Sequence, residues 1–286
     1  MPDVTLVKLG GSLLTDKEKP QTAREDVIRR LAKEIAQARK SVPEALVIGH
    51  GSGSFGHDAA HRHGLEGRLE TPKQLKGVSA TQVLAAQLHR RVADALHEAG
   101  ASPYSIAPSS FFVASGGRTA VASLEPLLKV LDLGLVPVIY GDVVTDRVLG
   151  ATILSTETLI KEVIVRLQRR IYRVRRVLWM GETDGIYGAD GKTIERVTGR
   201  NLDQVRKAIG PARGTDVTGG MHLRLDSAWE LARKGVDSWI LDGRKPGLLK
   251  RCLTGEATGG TLVQGSRSTR SRGTRAKTRR HPTARF

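Results

Sequence analysis

Two glycine-rich turns follow the first two predicted β-strands, and they carry side chains suited to phosphate chemistry. The first turn is Lys8-Leu9-Gly10-Gly11-Ser12, and the second runs from Gly49 to His57 with the sequence GHGSGSFGH. Glycine lets backbone N–H groups approach a phosphate closely, while lysine and histidine add positive charge or a hydrogen-bond donor. The sequence therefore predicts two phosphate-binding turns, although either turn alone could be a plain tight turn.

Two further segments could contribute to the same chemistry. Residues 214–221, with the sequence GTDVTGGM, precede an amphipathic helix, and Arg224 lies one turn into that helix. Its side chain can reach back over the helix start, which makes it a candidate anion clamp. Residues 181–187, with the sequence GETDGIY, follow a strongly apolar run. They are interpreted either as a nucleotide-contact loop or as an Asp-Gly turn.

Neither of the first two turns matches a common nucleotide-binding motif. The GxxxxGK(S/T) spacing of a Walker A motif is absent, and neither turn is a GxGxxG with an acidic residue after the next strand. Both turns instead end predicted parallel strands, and open α/β sheets bind ligands at the carboxyl ends of their strands. The sequence therefore favours a phosphate-binding α/β protein outside those two motif classes.

Apolar runs alternate with longer amphipathic stretches, which is typical of a mostly parallel sheet covered by helices. Strands are predicted at 4–8, 45–49, 102–106, 135–140, 174–180, 236–241 and 261–263. Helices are predicted at 24–40, 72–99, 124–133, 155–167, 202–209 and 220–234, and a further helix is expected just after the second glycine turn. Shorter segments at 111–113, 119–121 and 143–149 could add hairpins, either at the edge of the sheet or over the site. The expected fold is one α/β/α unit with a continuous central sheet.

Charge is distributed unevenly along the chain. The net charge is +17, and residues 266–286 contain eight Lys or Arg residues and no acidic residue. This segment is rich in Ser, Thr, Arg and Gly, so it is predicted to be a disordered basic tail. It could bind RNA or acidic partners, or it could be a functionally neutral extension. Nucleic acid binding is expected only through this tail.

Other sequence features limit the location and the redox chemistry of the protein. The chain has no run of eighteen apolar residues and no signal-peptide pattern at Met1, so we expect no membrane span and a cytoplasmic location. Its single cysteine, Cys252, lies in an apolar stretch. A buried, inert thiol is therefore favoured over a catalytic one.

Six short segments occur in a fixed order along the chain. They are VKLGGSLLTDK, HGSGSFGH, PSSF, VPVIYGDVV, TDGIY and TDVTGGM. In this order and spacing, the chain resembles the isopentenyl phosphate kinases of the amino acid kinase family. The resemblance spans Val4 to about Gly265 and leaves only the basic tail uncovered.

The resemblance implies a fold, a reaction and a cofactor. The fold would be the three-layer α/β/α sandwich of the amino acid kinase type over residues 1–265, with an acceptor-binding half at about 1–150 and a nucleotide-binding half at about 151–265. The reaction would be the phosphorylation of isopentenyl phosphate, and of dimethylallyl phosphate, by ATP with Mg²⁺. The products would be diphosphates that supply isoprenoid precursors. A homodimer is also implied, and the metal ligands stay unknown.

Phosphoryl transfer needs cations and backbone donors more than a reactive nucleophile, because it is mostly positioning and charge stabilisation. Lys8 ends a buried strand, where an unpaired lysine would cost free energy, so a phosphate role is favoured on the residue alone. For Lys17, in a polar loop, only the resemblance implies a role over the transferring phosphate. The resemblance likewise implies that His57 hydrogen-bonds the acceptor phosphate. The expected catalytic residues are Lys8, Lys17, His57, Glu157 and Arg224.

The predicted binding residues follow the same motifs. For ATP they are Lys8, Leu9, Gly10, Gly11, Ser12, Gly53, Thr183, Asp184, Gly219, Gly220 and Arg224. For the acceptor they are Gly51, Ser52, Gly53, His57, Val78, Thr156 and Glu157.

The chain departs from the family pattern in three places. A Ser-Gly-Asp signature, whose aspartate organises the catalytic lysines, is here Ser155-Thr156-Glu157, and a family lysine is here Arg224. Arginine keeps the charge and can fork onto phosphate oxygens, but it does not replace lysine neutrally. Family members often carry bulky aromatic residues around the position of Val78. The small side chains here predict a roomier pocket for longer isoprenoid phosphates.

Three alternative functions are compatible with the sequence. One is a phosphonate kinase resembling fosfomycin kinase, which shares the GxFGH feature. A second is a non-catalytic regulator that binds nucleotides or RNA, in which Thr156, Glu157 and Arg224 have abolished transfer. A third is a carboxylate kinase of the acetylglutamate type, for which His57 has no evident role.

Overall fold

A central β-sheet carries the glycine-rich turns at the carboxyl ends of its strands. The computed structural model of the chain describes residues 1–169, 172–209, 220–256 and 259–265. The strands in these ranges are β1 (Asp3–Leu9), β2 (Ala45–His50), β3 (Pro103–Ser105), β4 (Phe112–Ser115), β5 (Arg118–Ala122), β6 (Val136–Tyr140), β7 (Asp142–Asp146), β8 (Gly150–Leu154), β9 (Arg173–Gly181), β10 (Arg196–Val197), β11 (Asp237–Asp242) and β12 (Thr261–Val263).

Within the described ranges the central sheet has the order β10-β12-β11-β9-β1-β2-β6-β3. Its strand pairs are parallel except for β11 and β12, which are antiparallel. In the register, Leu9 of β1 lies beside His50 of β2 and Met180 of β9. The carboxyl ends of these three strands therefore lie next to one another. This confirms the predicted α/β class with its mostly parallel sheet.

The helices cover both faces of the sheet. They are α1 (Gly11–Leu14), α2 (Glu25–Arg39), α3 (Gly53–His63), α4 (Pro72–Glu98), α5 (Glu125–Asp132), α6 (Thr156–Leu167), α7 (Leu202–Ile209), α8 (Gly220–Ala232) and α9 (Leu248–Thr254). Alternate strand residues face opposite layers. Leu6 packs in a core with α5, α6 and α8, whereas Val7 packs in a second core with α2, α4 and α9. The result is the expected three-layer sandwich.

The short segments predicted as hairpins lie in a separate four-stranded sheet within the described residues, and not at the edge of the central sheet, which was one of the two places expected for them. The strand order of the separate sheet is β5-β4-β7-β8. The predicted segment 143–149 covers most of β7 and the turn that leads to β8. At the end of β7, the Asp146 carboxylate accepts hydrogen bonds from the backbone N–H groups of Gly116, Gly117, Val148 and Leu149 at 2.7–2.9 Å. Desolvation raises the pKa of this carboxyl, but the four donors outweigh it and bring the pKa to about 2. Asp146 therefore ties two hairpin turns together.

The single cysteine of the chain is buried. Cys252 is fully buried in α9, and burial raises its pKa to about 11, which fits the predicted inert thiol.

The sequence did not predict α1, α9 or β10. The glycine segment 214–219 and the basic tail 266–286 lie outside the described residues. Among the described helices, none is both long enough and apolar enough to cross a membrane.

Candidate active site

A buried ion pair joins the end of β1 to the start of α6. The Lys8 Nζ lies 2.6 Å from Oε1 of Glu157, and the two side chains are 6% and 13% exposed. Ser155 caps α6 by accepting a hydrogen bond from the Thr158 N–H at 3.2 Å, so Glu157 lies in the first helical turn. The positive end of the helix favours a carboxylate there. Glu157 stands where the family signature has the shorter aspartate, and its carboxylate contacts Lys8 near the end of β1.

Glu157 is held in its ionised form. Burial raises the pKa of its carboxyl, but the charge and the hydrogen bond of Lys8, together with the charge of Arg224, outweigh burial, and the net pKa is lowered. An ionised carboxylate beside two cations fixes the position of the lysine and leaves the site with net positive charge. Such a site suits the oxygens of a transferring phosphoryl group.

Arg224 covers the end of β9. A Cβ added to Gly181 would stand 2.8 Å from the Arg224 Nη1, so glycine at this position leaves the space that the guanidinium occupies. In the described part of the chain, the buried Nε of Arg224 has no hydrogen-bond partner. Buried donors are normally satisfied, and a phosphate oxygen is a strong acceptor for guanidinium. The geometry therefore leaves Arg224 a donor available for an anion.

His57 lies at the same place, in the first turns of α3. Its side chain is exposed, yet desolvation by the surrounding atoms lowers its pKa. The charge of Glu157 raises this pKa, whereas the charges of Lys8 and Lys17 lower it, and the net shift is downward from 6.5. His57 is therefore neutral at pH 7 and offers one N–H donor. The predicted group of Lys8, Lys17, His57 and Glu157 is thus brought together.

The two glycine turns interlock. A Cβ added to Gly11 would stand 2.5 Å from the Gly53 nitrogen, and one added to Gly51 would stand 2.8 Å from the Gly11 nitrogen. Gly53 also has a φ of +51°, a conformation that favours glycine. The N–H groups of Gly11, Ser52 and Gly53 donate no hydrogen bond to any described residue. Backbone N–H groups of this kind are suitable donors for phosphate oxygens, which is the role predicted for both turns.

Behind the second turn lies a buried aromatic stack that sequence reasoning missed. His50 Nδ1 donates to the Gly51 carbonyl oxygen at 3.1 Å, so its Nε2 accepts a hydrogen bond from His89 Nδ1 at 3.0 Å. Both rings stack on Tyr140. Burial lowers the pKa of His50 to about 4 and that of His89 to about 3, so both stay neutral. His50 and His89 are 39 residues apart, and nothing in the sequence pairs them.

The profile of the amino acid kinase family matches residues 3–242 of this chain. The chain belongs to the amino acid kinase family. An isopentenyl phosphate kinase from Methanothermobacter thermautotrophicus is 35% identical over 91% of this chain and 98% of its own length. One from Haloferax volcanii is 32% identical over 92% of this chain and 99% of its own length.

Solved structures agree with this family membership. A crystal structure of isopentenyl phosphate kinase has a TM-score of 0.76 and 31% identity, and it covers 91% of this chain and 100% of its own. More distant sequences include an acetylglutamate kinase from Dehalococcoides mccartyi, which is 25% identical over 94% of this chain and 97% of its own length. The likeness to isopentenyl phosphate kinases is therefore stronger than the likeness to this carboxylate kinase.

In this amino acid kinase, the segment after β9 lies beside the segment after β11. Gly181 pairs with Asp242 in the register, and the Asp184 carboxylate receives the Lys245 ammonium at 2.8 Å. The predicted nucleotide residue Thr183 has a buried hydroxyl without a partner among the described residues. Lys245 gave no signal in the sequence, because it lies 61 positions from Asp184 and its contact depends on the fold.

The predicted site also includes Gly219, Gly220, Val78 and Thr156. Gly220 begins α8, whereas Gly219 is outside the described residues. Val78 is half-buried on α4, the helix that packs on α3. The Thr156 hydroxyl is buried and donates to the His50 carbonyl oxygen at 2.8 Å, a contact that differs from the acceptor contact predicted for it. Among the described residues, no group of three or more His, Cys, Asp or Glu side chains could hold a metal ion.

Proposed function

We propose that this protein transfers the γ-phosphoryl group of ATP to isopentenyl phosphate, and also to dimethylallyl phosphate. An oxygen of the acceptor phosphate forms a bond to the γ-phosphorus, the bond from that phosphorus to the β-phosphate oxygen breaks, and ADP leaves. The products are diphosphates that serve as isoprenoid precursors. The observation that carries the proposal is His57 beside the Lys8–Glu157 pair, in a chain 35% identical to an isopentenyl phosphate kinase.

The cations and amides have distinct roles in this proposal. Lys8 and Arg224 stabilise the negative charge on the moving phosphoryl group, and Lys17 lies over it. The backbone N–H groups of Gly11 and Gly53 bind the ATP phosphates. Glu157 holds Lys8 in place and is too strongly ionised to act as a proton donor. The acceptor phosphate is already ionised near pH 7, so the reaction needs no general base.

His57 distinguishes a phosphate acceptor from a carboxylate acceptor. Neutral at pH 7, it donates one hydrogen bond to the acceptor phosphate without adding a further charge that Lys8 and Lys17 would oppose. His57→Ala should chiefly raise the KM for the acceptor, whereas Lys8→Ala should lower kcat. If both variants remain fully active, this site assignment is wrong.

The organic end of the acceptor is proposed to lie near Val78. The small side chains of residues 77–84 support a pocket that tolerates longer isoprenoid phosphates. We expect measurable kcat/KM for geranyl phosphate and a loss of that activity in Val78→Phe. No turnover of geranyl phosphate, unchanged in the variant, would contradict the pocket.

Mg²⁺ is proposed to enter with ATP. The absence of a ligand cluster among the described residues is compatible with a metal held mainly by phosphate oxygens and water, which is common for Mg²⁺. When bound, Mg²⁺ neutralises part of the phosphate charge.

Apart from the ATP-phosphate contacts of the two glycine turns, we also propose that residues from about 1 to 150 bind the acceptor and that residues from about 151 to 265 bind the nucleotide. We further propose that the protein is a homodimer. Tyr104 supports dimerisation, because it is 48% exposed on β3, the edge strand of the central sheet. Edge strands present unpaired backbone groups that another chain can cover. Light scattering coupled to size-exclusion chromatography tests the dimer, and a monomeric mass would contradict it.

An acceptor panel tests the proposed function. The full-length protein is incubated with Mg-ATP and one of isopentenyl phosphate, dimethylallyl phosphate, fosfomycin or N-acetylglutamate, and ADP release is measured. The proposal expects turnover of the first two substrates well above the others. No ADP above background from the first two would refute it.

A further inference from the structure

Thr156 fills a notch between two strand ends beside the proposed reacting centre. It is the first residue of α6 and is 2% exposed. Its Oγ1 lies 3.0 Å from where a Cβ on Gly141 would stand, and its Cγ2 lies 3.2 Å from where a Cβ on Gly49 would stand. Gly49 in β2 and Gly141, just after the neighbouring strand β6, therefore leave the space that the Thr156 side chain occupies.

The Thr156 hydroxyl also holds the backbone of the second glycine turn. It donates to the His50 carbonyl oxygen at 2.8 Å, and the Gly141 N–H donates to the same oxygen at 3.0 Å. On the other side of this peptide group, the Gly51 N–H donates to the Leu9 carbonyl oxygen at 3.0 Å. The peptide group that opens the turn is therefore held both by α6 and by β1.

The same hydroxyl bonds the first turn of α6 to β2. The cap made by Ser155 is internal to the helix, because it bonds the Thr158 N–H, so it does not tie the helix to the sheet. Thr156 makes that tie through His50. Glu157 is the next residue, and a displacement of one helical residue moves its neighbour with it. The 2.6 Å contact between Glu157 and Lys8 therefore depends on where Thr156 is held.

We propose that Thr156 is a positioning residue: the hydrogen bond from its hydroxyl to the His50 carbonyl sets the place of the Glu157 carboxylate, and thereby of the Lys8 ammonium, for phosphoryl transfer. The proposal rests on the kinase activity proposed above. It assigns Thr156 a role through Glu157 in place of the acceptor contact predicted from the sequence.

A pair of near-isosteric variants tests the role of the hydroxyl. Thr156→Val keeps the shape that fills the notch but removes the donor, whereas Thr156→Ser keeps the donor. Because a hydrogen bond of this kind changes an equilibrium by a factor of about 2 to 12, we expect Thr156→Val to lower kcat about 3- to 10-fold. The KM values for ATP and for isopentenyl phosphate should change less than about 2-fold, because the loss appears in transfer rather than in binding. Thr156→Ser should recover most of the lost kcat.

Thr158→Val is the matched control. Thr158 lies on the same helix two residues later and its hydroxyl oxygen accepts from Ser155, so its loss leaves the tie to His50 intact. Its kcat should equal that of the wild type. The melting temperature of each variant, measured alongside, ensures that rates are compared only for folded protein.

A second background shows whether Thr156 acts through Glu157. Glu157→Asp keeps the carboxylate but shortens its reach to Lys8, so adding Thr156→Val should lower kcat further by less than about 2-fold. The proposal is overturned if Thr156→Val keeps full kcat, if Thr156→Ser loses as much as Thr156→Val, or if the loss is the same in both backgrounds. If the wild type does not phosphorylate isopentenyl phosphate, the proposed function fails and this inference fails with it. An active wild type with a full-rate Thr156→Val variant overturns the inference alone.

Discussion

Replacing Lys8 with methionine would leave the Glu157 carboxylate buried without the ammonium that lies 2.6 Å from it. Methionine matches most of the length of the lysine stem, so packing changes little and the lost charge dominates. Removing one partner of a buried ion pair costs about 3–5 kcal/mol of stability, because the remaining charge is left in a poor solvent. Arg224 still favours the carboxylate, so we expect a loss near the lower limit, about 3 kcal/mol at pH 7.

The loss should depend on pH with a definite sign. In the wild type the pKa of Glu157 is lowered, so its contribution to stability is present above its unfolded value of 4.5 and is lost only below it. In Lys8→Met, burial should dominate and raise the pKa of Glu157 above 4.5. As the pH falls, Glu157 in the folded variant then binds a proton at a higher pH than it does in the unfolded chain. The stability that Lys8→Met has lost relative to the wild type therefore becomes smaller. The stability difference should therefore be largest near pH 7 and narrow toward about pH 5.

Urea unfolding at pH 7.5 and pH 5 measures this difference, with Glu157→Gln and the double variant as controls. The double variant removes both charges, so it should be more stable at pH 7.5 than Lys8→Met alone. The comparison between variants also cancels the titration of the buried histidines, which all of them share. Equal stability of Lys8→Met and the wild type at pH 7.5, or a stability difference that does not change with pH, would show that Lys8 does not stabilise the buried Glu157 carboxylate.

Three further predictions follow from the described residues. Gly181→Ala should lower kcat/KM for ATP about 10-fold or more, because its Cβ would stand 2.8 Å from the Arg224 guanidinium. The control Gly259→Ala, whose Cβ would have no atom within 4 Å, should leave kcat/KM unchanged, and equal kcat/KM values for the two variants would contradict the role of Arg224. Between pH 7 and pH 4 the wild type should lose roughly 2–3 kcal/mol of unfolding free energy that His89→Gln keeps, because the His89 imidazole stays neutral in the folded protein but gains a proton in the unfolded chain. Parallel profiles of unfolding free energy against pH for the two proteins would contradict this. Deleting 267–286 should leave kcat unchanged and remove any salt-dependent RNA binding, and a large fall in kcat would contradict a neutral tail.

Sequence patterns predicted the elements that contain a long apolar run or a clear start signal. β1 and β9 are runs of apolar residues in the middle of a parallel sheet, and α4 has a capping box at Thr71 that marks its start. The two-residue β10 and the seven-residue α9 are too short to show a period, so nothing in the sequence separated them from loops. The hairpins were predicted, but their assembly into a second sheet depends on contacts such as those of Asp146, which adjacent residues do not reveal.

The candidate site was predictable where glycine and charge occur together. The interlocked turns at Gly11 and Gly53 confirm that their glycines are required by close backbone contact, which is a steric property that the motif carries. By contrast, the tie from Thr156 to His50 joins residues 106 positions apart. Threonine at a helix start normally indicates capping, so sequence reasoning could not distinguish a positioning hydroxyl from a substrate contact.

Identifying the product shows directly whether the protein phosphorylates isopentenyl phosphate. The full-length protein is mixed with Mg-ATP and isopentenyl phosphate, and the reaction is followed by ³¹P NMR. If the protein is an isopentenyl phosphate kinase, the monophosphate signal disappears while the two coupled signals of a diphosphate ester and the signals of ADP appear in equal amounts. An unchanged monophosphate signal, or ADP formed together with inorganic phosphate instead of the diphosphate ester, would contradict it.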